Sequence, residues 1–166
     1  MAINTYIKID GITGGSTASG HEGEIEVLLW EHEFLQPTSP TRSFAGSGTT
    51  EQATHGPHHI HKYIDPSTPG LLKACWSGQQ IATATLTAYR ADGAVDNAPV
   101  KYMEVAMTNV IIGMYKVKSQ PGDVPLEHLH LNYGSVTYTY VDQKHADGMA
   151  DANLPATHNL ETRTIS

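Results

Sequence analysis

Four of the ten histidines fall within seven positions of one stretch, "HGPHHIHKYIDPSTPGLLKACWSG", His55 to Gly78. Neutral imidazole can ligate a metal or act as a general base, so His55, His58, His59 and His61 are the first place to look for chemistry. On a strand, His59 and His61 share a face, and His55 could reach round to the same ion. A second same-face pair, His128 and His130, stands in "LEHLHLN". A zinc site needs three or four converging ligands with acceptors behind the rings. The stretch has no H-E-x-x-H helix and no cysteine pair, and its nearest carboxylates are Glu51 and Asp65. The expectation is therefore a partly exposed strand face with histidines at its edge, and no metal or cofactor.

Other chemistry is equally hard to find. There is no G-x-S-x-G elbow, no P-loop and no G-x-G-x-x-G after a strand. Glu24 and Glu26 share a strand face, a spacing that reads as a solvated or interface surface rather than a paired acid and base. No catalytic residue is expected. A net charge of −7 repels phosphate backbones and argues against nucleic-acid binding. The single cysteine, Cys75, excludes a disulfide framework within the chain and reads as a small buried hydrophobe. "MAINTYIKIDG" has no basic n-region, and no later stretch is apolar for long enough to span a membrane. The protein is expected to be made in the cytoplasm without a signal peptide.

The elements that position these residues are mostly strands. Charged residues are only 16% of the chain, against ~25% in ordinary soluble domains, so part of the surface is expected to be covered. Period-two alternation marks "INTYIKI" (3–9) and "EIEVLLWEHEF" (24–34), the latter with Ile25, Val27 and Leu29 on one face. Further strands are expected at 58–64, 81–89, 100–117 and 126–142. The 100–117 strand should carry Met103, Val105, Met107 and Ile111 on one face and bend at Gly113. Residues 36–56 form a long Pro/Gly/Ser/Thr loop, and the polar tail 147–166 is expected to be irregular. Pro66 ends the histidine strand. Thr68, or alternatively Ser67, caps a helix over 68–77 with Pro69 in its first turn, and Gly78 ends it in a left-handed conformation. Leu71, Leu72, Cys75 and Trp76 make one apolar stripe, expected to dock on the sheets. The whole chain, 1–166, is read as one domain.

The block "HKYIDPSTPGLLKACWSGQQIATATLTAYRADG" resembles the central signature of the Hcp family of bacterial type VI secretion. The matching positions are Lys62, Tyr63, Asp65, Ser67, Thr68, Pro69, Leu71, Ala74, Cys75, Ser77 and Gly78, then Arg90, Ala91 and Gly93. "YIKIDGITGGS" and "HEGEIEVLLWE" are similar to the family's first two strands. The resemblance implies a mainly β fold: an antiparallel two-sheet β-barrel with one short flanking helix, akin to phage tail-tube proteins. It implies a homo-hexameric ring, rings stacked into the inner tube, effectors in the lumen, and spike and sheath proteins as partners. It implies secretion by the type VI system and no enzymatic activity, cofactor or membrane insertion. Within that frame the 36–56 loop, with Arg42 and Phe44, reads as an inter-ring contact. Two other readings stay open: a soluble β-sandwich that binds carbohydrate or metal through exposed Tyr, Trp and His, and a hydrolase with a dispersed triad.

Overall fold

The computed structural model describes residues 3–38, 52–91, 99–143 and 150–166. The elements run β1 (Ile3–Ile9), β2 (Ile25–Glu26), β3 (Leu29–Glu31), β4 (Phe34–Leu35), β5 (Thr54–His55), β6 (His58–Tyr63), α1 (Thr68–Ser77), β7 (Ile81–Ala91), β8 (Pro99–Lys118), β9 (Leu126–Asn132), β10 (Ser135–Gln143), β11 (Ala150–Asn159) and β12 (Thr164–Ile165). All pairings are antiparallel. One sheet has the order β12-β11-β10-β8-β7-β1-β2, and a second face runs β3-β6-β9-β8.

Two segments belong to both faces. β8 pairs with β7 and β10 over its first half and with β9 over its second. The switch falls at Asn109, which adopts a left-handed φ of 53°. Asparagine tolerates that conformation better than most side chains. The irregularity inverts the alternation, so Val105 and Met107 point inward before it, and Val110 and Ile112 after it. Ile111, expected on the same face as Val105 and Met107, is instead 37% exposed. A bulge follows between Ile112 and Met114. Gly113 sits in it, where a Cβ would lie 2.4 Å from Asn132 Nδ2.

The second shared segment is 25–31. Val27 N–H donates to Thr5 O and Leu28 N–H to His61 O, so the backbone leaves one sheet and joins the other there. Ile25 and Val27 are buried, Leu29 is 49% exposed, and Trp30 turns in to pack against the core. The single strand expected over 24–34 is therefore three short pieces. The two sheets enclose one core (Ile7, Ile60, Leu86, Val105, Leu129 and Leu131 are all fully buried), but the ladder is interrupted at this corner rather than closed around the whole girth.

Two other expectations change. Residues 126–142 form two strands, β9 and β10, separated at Tyr133-Gly134 and paired with different halves of β8, not one strand. The polar tail is not irregular: β11 pairs with β10 from Ser135↔Asn159 to Gln143↔Ala150. β11 carries Pro155 and has only the two-residue β12 on its far side, so it lies near the sheet edge, where proline is tolerated.

Candidate functional site

Lys62, Asp65, Ser67 and Thr68 sit in the turn between β6 and α1, and they form one connected cluster. Lys62 points into the core with no exposed surface. Its Nζ lies 2.7 Å from Asp65 Oδ1 and 2.5 Å from Glu127 Oε2, and it donates to Tyr63 O at 3.0 Å. Glu127, also fully buried, comes from β9; its Oε1 accepts from Thr68 Oγ1 at 2.7 Å. Asp65 Oδ1 accepts from both the backbone N–H and the hydroxyl of Ser67. Burial pushes the Asp65 carboxyl up, but the hydrogen bonds from Lys62 and Ser67 outweigh it and hold it below its ordinary value. Burial and the Glu127 carboxylate push the neighbouring Tyr115 phenol up. Sequence reasoning singled out every member of this cluster except Glu127, which stands 65 positions after Lys62 with no local signal.

The cluster clamps α1 across the sheets. The helix begins after Ser67 rather than Thr68. The Ser67 side chain makes no cap hydrogen bond of its own, and Thr68 spends its hydroxyl on Glu127. Leu71 and Ala74 are buried, while Leu72 and Cys75 are partly exposed, with Cys75 packed against the core. Trp76 departs from the expected stripe: it is 77% exposed, because the helix is anchored along Leu71, Ala74 and Cys75 and Trp76 falls outside that arc. Gly78 ends the helix at φ 61°.

The histidines are not at an edge. β6 lies between β3 and β9, so its outward histidines stand within a sheet face. The register sets His59 opposite His130 and His61 opposite His128. His58 points the other way, fully buried, with its ring stacked 4.9 Å from His32 and edge-on to Trp30. Burial, then the charges of His32 and His59, holds His58 down to about 3. His55 joins a chain of ring contacts: His158 Nδ1 to His55 Nε2 at 2.8 Å, His55 Nδ1 to Tyr133 Oη at 2.8 Å, Tyr133 Oη to His32 Nε2 at 2.7 Å, and His32 Nδ1 to Tyr138 Oη at 2.5 Å. Burial holds His32 down to about 4 and raises Tyr138 to about 12. This relay ties β5, the β9–β10 connection, β10 and β11 to the segment after β3.

The surface bears apolar side chains as well. Leu28, Tyr63 and Ile64, each about half exposed, line an open groove of about 290 Å3 with Gly15, Ser16 and Pro66. The groove lies directly over the clamp. The ends of the 36–56 connection come together as the β4–β5 hairpin, Phe34 opposite His55. Arg42 and Phe44 lie outside the described residues.

Two antiparallel sheets sharing strands, with one helix pinned across them by buried charges, define a class of mainly β proteins whose exposed apolar surface suits assembly. Within that class the matches are specific. Residues 6–140 match the family described as type VI secretion system effector, Hcp. Protein hcp1 of Pseudomonas aeruginosa is 33% identical over 152 residues, covering 91% of this chain and 90% of that protein. The Major exported protein of the same species is 28% identical, over 84% of this chain and 90% of that one. A solved structure of a type six secretion system protein superposes with a TM-score of 0.89, covering 99% of this chain and all of that one at 27% identity. The chain belongs to the Hcp family of type VI secretion proteins.

Proposed function

We propose that this protein is a structural subunit of the type VI inner tube, which forms six-membered rings that stack and carry effector proteins in the lumen. The observation that carries the reading is the end-to-end match of fold to a type VI secretion protein, with the clamp residues Lys62, Asp65, Ser67 and Thr68 in place. Half-exposed Leu28, Tyr63 and Ile64 support it, since apolar groups grouped in a groove are suited to burial by a neighbouring subunit. The protein acts by assembly, leaves the cell through the type VI machine, and meets the spike and sheath as partners. Family membership disfavours the carbohydrate-binding or metal-binding sandwich.

Stacking requires a head-to-tail contact that does not close on itself. The 36–56 segment, with Arg42 and Phe44, is proposed to supply it. Sedimentation should find a species near six subunits, and electron micrographs should show annular particles. A monomer at all concentrations refutes the ring. Replacing residues 40–48 with a Gly/Ser linker should leave the ring intact and abolish tube growth; tubes that still form refute the loop's role.

A further inference from the structure

β6 and β9 each present an outward His-x-His pair, and their antiparallel register sets the two pairs against each other. The rings are close: centroids are 4.0 Å apart for His59–His130 and for His61–His128, and 4.9 Å for His128–His130. One ligating atom from each of His59, His128 and His130 can be chosen so that all lie within 4.8 Å of one another. Nitrogens bound to one tetrahedral zinc at 2.0–2.1 Å stand roughly 3.3–3.5 Å apart. His59 Nδ1 and His128 Nε2 are already 3.2 Å apart. His130 Nε2 is buried without a hydrogen-bond partner, an orphan that a ligand would satisfy.

We propose that His59, His128 and His130 bind one divalent transition-metal ion. Three imidazoles without thiolates suit zinc, with copper(II) and nickel(II) as competitors and water completing the shell. His61 stacks on His128 with the rings only 14° from parallel, so it forms the wall of the site rather than a ligand. Glu31 of β3 stands opposite His59 in register, and Glu31 and Glu33 line one cavity with His59. Lys116 of β8 stands opposite His128; it opposes a cation, but its side chain is exposed and can swing into solvent. The expectation of no metal weighed each histidine pair within its own strand. Two of the three ligands are supplied by the neighbouring strand, 69 and 71 positions after His59.

The test is calorimetric titration of zinc chloride into the full-length protein, purified without a histidine tag. The expected result is one zinc per chain, and cobalt(II) should give the intense visible absorption of a low-coordinate site rather than the weak bands of the hexa-aquo ion. His59→Gln and His128→Gln should each weaken zinc at least about tenfold, while His61→Gln should change it less than about threefold. Absence of stoichiometric binding to the wild type overturns the proposal, as does unchanged affinity in both ligand variants. If either variant fails to fold by circular dichroism, the wild type decides: zinc should move the imidazole 15N signals of His59, His128 and His130, and movement confined to other histidines overturns the assignment.

Discussion

Replacing Lys62 by methionine tests the clamp directly. The substitution keeps the aliphatic stem and removes the cation. Glu127 would then be a fully buried carboxylate that has lost its cation and keeps a hydrogen bond from Thr68 Oγ1 at 2.7 Å. Asp65 is 18% exposed at its side chain, keeps the Ser67 hydrogen bonds, and suffers less. Breaking a buried pair from one side costs about 3–5 kcal/mol. For a chain of 166 residues each kcal/mol lowers Tm by about 2–4 °C, so the melting temperature should fall by about 6–20 °C. The deficit is measured by urea unfolding. Lys62→Met with Glu127→Leu removes both charges and should recover most of the loss. A deficit below about 1 kcal/mol at pH 8, or a double variant no better than the single, would refute the clamp as an energetically coupled unit.

Gly14→Ala should destabilise the protein by several kcal/mol or prevent folding, because the new Cβ would lie 2.2 Å from Glu24 O and 2.6 Å from Ile25 N, both backbone atoms; a melting temperature within 2–3 °C of wild type, at about 2–4 °C per kcal/mol, would contradict that geometry. Leu71→Ala should cost about 2–5 kcal/mol, whereas Trp76→Ser, on the exposed side of the same helix, should leave monomer stability within about 0.5 kcal/mol; equal effects would mean the helix is docked by a different face. Buried neutral His58 must not charge in the folded state, so the unfolded chain gains the proton first as pH falls below about 6.5, and stability should decline towards pH 4 by up to about 1.4 kcal/mol per pH unit. His58→Leu should flatten that slope between pH 6.5 and 4.5, and parallel slopes for variant and wild type would contradict it.

Local pattern carried much of the fold. β1 and α1 are where period two and the Pro66/Pro69/Gly78 punctuation place them, because those signals depend only on backbone sterics and on side chains a few positions apart. The Hcp signature was legible for the same reason: Lys62 to Thr68 are contiguous, and their turn chemistry is local. Where alternation failed, the cause was a backbone event that the pattern does not encode. Asn109 turns left-handed and inverts the inner face of β8, and Val27–Leu28 hands the chain from one sheet to the other. β11 was hidden because its strand status comes from pairing with β10, not from its polar, proline-containing sequence.

Register decided the sites. Sequence alone determined that Lys62 and Asp65 are neighbours, that His59 and His61 share a face, and that His128 and His130 share another. Only the pairing of β6 with β9 puts Glu127 under Lys62 and His130 against His59. A shift of one residue would exchange the inner and outer faces of the strand, burying imidazoles and exposing the ion pair. That register is held by burial of Ile60, Leu129 and Leu131, all without exposed surface, and this is a property of the packed core rather than of either strand read by itself.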